Sequence, residues 1–196
     1  MGHDANKGGK LRLFYGVFIE AHLHDGIAAL QQRLRQAGGR VTWVKPPNLH
    51  YTLRFIGDTP PARVAELAQA GRQAAAACRR FSTQVSGVGA FPSPPRARTI
   101  WLGAAEGAEQ LKALHAALIE ALKAANLADP ERKPFVPHCT LGRVRERPSA
   151  ALAATIEANA QAEIGPMECA ELCLIKSTLT GSGEVYETLE AFTLPD

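Results

Sequence analysis

The sequence predicts an α+β fold built on antiparallel strands, and three observations carry that prediction. Strand-like and helix-like segments are interleaved from residue 11 to the end of the 196-residue chain, with no low-complexity linker between them. Turn chemistry at "TGSGE" joins two strand-like runs as a hairpin, and crossovers occur as well as hairpins. The run "NLHYTLRFIG" (48–57) alternates, with Leu49, Tyr51, Leu53 and Phe55 on one face and His50, Thr52 and Arg54 on the other. One compact unit over 11–196 follows, behind a loose, Gly-rich tail at 1–10.

The elements read in order as follows. "LRLFYGVFIE" (11–20) is rich in aromatic and β-branched residues and reads as a strand. Residues 24–38 form an amphipathic helix with Ile27, Leu30 and Leu34 on one face, closed by Gly38–Gly39. After the strand at 49–57 comes an Ala-rich helix over 61–80, with Val64, Leu67, Gly71 and Cys78 towards its buried side. Strands at 81–91 and 98–105 flank the stiff loop "PSPPRA". A helix over 106–126 carries Leu111, Leu114, Leu118 and Leu122 at helical spacing. The loop "LADPERKPFVP" leads to a strand at 138–144, a helix over 149–162 and strands near 169–176 and 184–194.

Composition bounds the function. Apolar residues make up 46% and charged residues 21%, as in ordinary globular proteins, and the net charge is +3. That mild surplus permits a phosphate-bearing ligand but does not argue for the wrapping of long nucleic acid, which usually needs a concentrated basic stripe. No run approaches the ~18 apolar residues of a membrane span, and the polar start lacks the apolar core of a secretion signal. No membrane association is expected, and the default location is cytoplasmic. Cys169 and Cys173, read in one strand, would stand roughly 13 Å apart at the usual rise per residue, too far for a disulfide. Reduced thiols are expected at these two positions and at Cys78 and Cys139, and "CAELC" lacks the close pairing that zinc prefers.

The alternating strand has a second copy. "HCTLGR" at 138 repeats His-x-Thr-Leu followed by a basic residue, and both copies follow a Pro-containing loop. Six His, eleven Thr and twenty-one Leu in the chain predict about 0.04 such occurrences by chance. A single His on a strand is ordinarily a surface or hydrogen-bonded core residue, and His3, His22, His24 and His115 are read so. The pair is read as functional. Two imidazoles can supply acid and base in one turnover. A Thr two residues along shares the face, at ~6.6 Å spacing, and offers a hydroxyl to an oxygen of the reacting centre. Thr donors flanked by Arg describe an anionic centre with several oxygens, hence phosphate. No acidic cluster accompanies them, so a metal-free reaction without cofactor is expected.

The chain resembles the RNA 2′,3′-cyclic phosphodiesterases of the 2′-5′ RNA ligase family, within the 2H phosphoesterase superfamily. The likeness runs through "RLFYGVFI", "WVKPPNLHYTLRFIG", "GVGAFPSPPRARTIWLGA", "PFVPHCTLGRV" and "LIKSTLTGSGEVYETLEAFTL", with the HxTx pair as its defining feature. Tyr51 and Cys139 stand where aliphatic residues are commoner and are expected to face away from the cleft. The resemblance implies a bilobal, pseudo-two-fold fold, with two antiparallel sheets and outer helices around a central cleft. It implies hydrolysis of an RNA 2′,3′-cyclic phosphate end to a 2′-phosphomonoester. The pattern itself leaves acid and base unassigned. The resemblance makes His50 the proton donor and His138 the proton acceptor, with Thr52, Thr140 and Arg143 binding substrate.

Arg143 lies out of phase with His138 and Thr140, so it reaches the cleft only if the strand twists or ends there. Arg54 is in phase and reads equally as a solvated strand residue. Phe14, Phe55, Phe91, Trp101 and Phe135 are candidates to stack bases, with core packing expected for most, so that only the terminal one or two nucleotides are recognised. The expected partner is an RNA 3′ end or oligonucleotide carrying the cyclic phosphate, bound by a monomer. Alternatives are the reverse 2′-5′ ligation, hydrolysis of a small cyclic nucleotide or ADP-ribose cyclic phosphate, and a non-catalytic RNA-end binding module.

Overall fold

The computed structural model describes residues 9–127, 134–181 and 183–196; most of the expected N-terminal tail, with His3, and the middle of the loop before 138 lie outside them. Strand β1 (Leu11–Phe18) is followed by helix α1 (His24–Gln36), a short β2 (Val41–Trp43) and β3 (His50–Thr59). Helix α2 (Val64–Ala76), β4 (Phe81–Phe91), β5 (Thr99–Ala104), α3 (Ala108–Ala124) and β6 (Cys139–Val144) come next. Helix α4 (Ala150–Ala158), β7 (Glu163–Cys169), β8 (Glu171–Thr180) and β9 (Gly183–Thr193) complete the order.

The strands form one curled antiparallel sheet in the order β7-β4-β5-β6-β3-β1-β8-β9, with β2 beside β6. Its two halves meet where β3 and β6 touch. On either side of that seam the order strand, helix, His-x-Thr strand occurs twice, as β1–α1–β3 and β5–α3–β6, with the strands of each pair antiparallel. This is the internal two-fold that the repeated motif implied. Helices α2 and α3 pack together, α2 over β8 and β9 and α3 against β3, while α1 and α4 pack together, α4 against β4.

Alternation along β1 divides the interior. Leu13, Tyr15 and Val17 join Leu30, Leu34, Leu67, Leu111 and Leu118 in the main core, where the Tyr15 hydroxyl donates to the Leu67 carbonyl at 2.7 Å. Phe14 faces the other way, into a small cluster with Cys173 and Ile175, against which Phe18 and Tyr186 pack. That second cluster sits beneath the cleft and shapes the site.

Two strands, β2 and β7, lie where the sequence reading placed none. β7 contains Gly165 and Pro166, which argue against an inner strand; it is tolerated because β7 is the sheet edge. Cys169 therefore ends β7 and Cys173 lies in β8, in two strands rather than one. All four cysteines are free thiols. α4 is shorter than expected, opened by the Ser149 side chain accepting from the Leu152 amide at 3.1 Å and ending at Asn159. Among the described residues no helix is long and apolar enough to cross a membrane.

Candidate active site

β3 and β6 touch through one residue pair, Tyr51 with Cys139. Both side chains are fully buried, and the Tyr51 hydroxyl donates to the Gly103 carbonyl at 2.9 Å. Since neighbours on a strand point to opposite faces, the residues flanking this pair turn the other way. His50, Thr52, His138 and Thr140 accordingly line one cleft of about 1190 Å³, together with Arg54, Arg96, Arg98 and Arg143.

The two imidazoles are fixed by the same device. His50 Nδ1 donates to the Asn48 carbonyl at 2.7 Å, and His138 Nδ1 donates to the Val136 carbonyl at 2.8 Å. A carbonyl can only accept, so each Nδ1 carries a proton and each Nε2 is left for other work. The Thr52 hydroxyl lies 2.9 Å from His50 Nε2. Gly16 makes the room: it pairs with Thr52 across β1 and β3, and a Cβ there would stand 2.9 Å from the Tyr51 carbonyl oxygen and 3.3 Å from His50 Cδ2.

Aromatic rings enclose both histidines. His50 meets Phe14 at 4.9 Å, Tyr186 at 5.3 Å and Phe18 at 6.1 Å between centroids. His138 meets Phe91 edge-on at 5.0 Å and Trp101 at 6.4 Å. Burial holds the His50 imidazole down to about 4; the Asn48 carbonyl and the Glu184 carboxylate oppose this, and His138 and Arg143 reinforce it. Burial also lowers His138, opposed by the Val136 carbonyl and reinforced by Arg143.

A β-bulge brings Arg143 into the cleft. β5 pairs Trp101 with Thr140 but Ile100 with Gly142, skipping Leu141. Leu141 and Gly142 are consecutively buried, the alternation slips by one, and Arg143 emerges on the face of His138 and Thr140. β3 carries the matching slip. It pairs Gly16 with Thr52 and Tyr15 with Arg54, skipping Leu53. The counterpart of Arg143 is therefore Phe55, not Arg54, although Arg54 still lines the cleft.

Of the aromatic candidates, Phe14 is buried under His50, and Phe135 lies parallel to His115 at 4.2 Å while lining the cleft. Phe91 also lines it, and Trp101 packs behind Phe91 at 5.2 Å. Phe55 presents an open ring, 57% exposed. The sequence reading did not single out Asn48, Glu184 or Tyr186, which also line the cleft. "TGSGE" signalled the hairpin, but nothing local in the sequence says that its returning strand faces β3.

The fold and the paired His-x-Thr cleft define a phosphoester-handling class, and comparison with known proteins agrees. Residues 45–181 match the model of the 2′-5′ RNA ligase superfamily. The chain belongs to that family. It is 34% identical to the RNA 2′,3′-cyclic phosphodiesterase of Methanothermobacter thermautotrophicus over 94% of this chain and 100% of the relative. With the Aeropyrum pernix protein of the same name it shares 33% identity over 83% and 92%. A crystal structure of a Thermus thermophilus protein superposes with TM-score 0.75 at 29% identity, covering 94% of this chain and 98% of that one. E. coli LigT, solved with 3′-AMP, shares the fold at TM-score 0.74 and 23% identity, over 95% and 99%.

Proposed function

We propose that this chain is an RNA 2′,3′-cyclic phosphodiesterase, opening the cyclic end to a 2′-phosphomonoester by two-histidine acid–base catalysis without a metal. The observation that carries the reading is the pair of imidazoles, each with Nδ1 committed to a carbonyl two residues back, lining one cleft with two Thr and Arg143. The names of the archaeal relatives support the substrate class.

Water attacks the ring phosphorus as His138 Nε2 takes its proton. The bond from phosphorus to O3′ breaks, and His50 Nε2 delivers a proton to that oxygen. The phosphate stays on O2′. The turnover leaves His138 charged and His50 neutral, and solvent exchange restores both. Thr52 and Thr140 donate to the non-bridging oxygens, and Arg143 offsets the charge that builds on them. Glu184 acts on His50 and not on His138, an asymmetry that favours His50 as the donor. Burial outweighs it until the anionic phosphate enters, whose negative charge raises both imidazoles.

The cleft exceeds the ~300–1,000 Å³ of small-molecule sites, and four guanidinium groups line it, which suits an oligonucleotide end better than a lone mononucleotide. One chain supplies both motifs, so the reading is of a monomer, and its free thiols suit the cytoplasm. Phosphorus NMR of a short RNA ending in a 2′,3′-cyclic phosphate tests the reaction. The cyclic diester resonance should give way to a 2′-monoester; persistence of the cyclic signal, or a 3′-monoester product, overturns it.

A further inference from the structure

The catalytic cleft has a wall that neither His-x-Thr strand supplies. β9 begins at the cleft, and Tyr186 meets the His50 ring nearly at right angles, with planes at 85°. The same phenol ring meets Phe14 at 5.1 Å and 69°, while Phe14 lies tilted against His50. The imidazole is thereby bracketed on two sides. The Tyr186 hydroxyl donates to Glu184 Oε2 at 2.8 Å. The Asn48 side-chain amide donates to the Glu184 backbone carbonyl at 2.7 Å, and the Asn48 carbonyl is the acceptor that fixes His50 Nδ1. One asparagine thus ties β9 to the orientation of the histidine.

We propose that Glu184 and Tyr186 are positioning residues for His50: Tyr186 fixes the plane of the ring, and together with Asn48 it holds the Glu184 carboxylate beside that ring as a counter-charge. The inference rests on the reading of His50 as proton donor. The surrounding groups leave this task to β9. From β6 and the residue before it, Arg143 and His138 both oppose a positive charge on His50. β1 offers Phe14, Gly16 and Phe18, and β8 offers Cys173 and Ile175 behind Phe14, none of them a carboxylate. Cys139, across the seam, interacts with the His50 backbone from the core side. Among the described residues, Glu184 is the carboxylate that acts on His50. A nearby anion favours imidazolium over neutral imidazole, the form a proton donor needs.

The test is a proton NMR titration of the His50 ring in the full chain, paired with kcat/KM on a cyclic-ended RNA. Glu184→Gln should move the His50 midpoint down by roughly half to one pH unit and lower kcat/KM at pH 7 by roughly 3–10-fold. Glu184→Asp should restore part of both. Tyr186→Phe, which keeps the ring but frees the carboxylate, should shift both less and in the same direction. Glu187→Gln, one residue on and paired with Lys176 at 2.8 Å, should shift neither. An unmoved His50 midpoint in Glu184→Gln overturns the inference. If the wild-type chain turned over no cyclic phosphate, the functional reading would fall, while the midpoint would still decide whether Glu184 acts on His50.

Discussion

The Gln31 side-chain amide donates to the Leu141 carbonyl at 3.0 Å, and Leu141 is the residue at which β6 slips against β5. The same amide donates to the Val44 carbonyl at 2.9 Å, and the Val44 backbone N–H also reaches Leu141. A buried polar side chain on α1 therefore gives the bulge carbonyl a second donor, ties it to the Val44 carbonyl, and pins the slip that turns Arg143 into the cleft. Gln31→Leu should cost about 1–3 kcal/mol of stability, the usual penalty for removing the donor of a part-buried carbonyl, here that of Val44. It should also mimic Arg143→Ala kinetically. Denaturant melts measure the first effect. A double variant no worse in kcat/KM than Arg143→Ala alone confirms the second, whereas additive losses would separate Gln31 from Arg143.

Removing either imidazole should stop the proton transfers without unfolding the chain, since both line the cleft and neither belongs to the main core. His50→Ala and His138→Ala are each expected to lose on the order of 10²–10⁴ in kcat, with circular dichroism unchanged. EDTA should leave the wild-type rate alone, because guanidinium and hydroxyl groups meet the phosphate charge in this scheme. Near-normal turnover by either variant, or loss of activity on chelation, would redirect the mechanism.

The pH profile follows from burial. The acid must be protonated and the base neutral, so kcat/KM should be bell-shaped. Both imidazoles are held below their ordinary value, His50 at about 4. The bell should therefore centre below the ~6.5 of a free imidazole. A bound phosphate raises both groups, so the kcat profile should lie at higher pH than that of kcat/KM. Steady-state kinetics from pH 4 to 8 checks both statements, and a kcat/KM optimum above neutrality would contradict them.

The centre of the fold was legible because its pattern is local and occurs twice. Alternation in 48–57 and the matching run at 138 placed four cleft residues on the correct face, and put Tyr51 and Cys139 behind them. The phase of Arg143 was not legible, since alternation breaks at a bulge that depends on β5. Gly142 was the available signal: glycine inside a strand marks a bulge or a close approach, and a Cβ there would stand 2.8 Å from Val41 Cγ1. β2, at three residues, is too short to show a period. The approach of Glu184 and Tyr186 to His50 depends on β9 facing the cleft from beyond β1 and β8, a long-range placement that no window of sequence contains.

Phe55 and Arg143 hold equivalent positions after matching bulges, one offering an open aromatic face and the other a guanidinium. Each kind of plane stacks well on a nucleobase. Phe55 packs against Phe14 at 5.7 Å and is otherwise open to the cleft, so it should affect how the RNA end is seated rather than the proton transfers. Phe55→Ala should lose about 1–3 kcal/mol of base stacking, seen as roughly a 5- to 150-fold rise in KM with kcat nearly kept. Phe55→Tyr, which retains the ring, should stay close to wild type. Arg143→Ala should instead lower kcat as well, because the guanidinium meets charge that grows in the transition state. Parallel kinetics on one cyclic-ended RNA measure the split, and a pure kcat loss in Phe55→Ala would place that ring in the chemistry rather than in the seat of the terminal base.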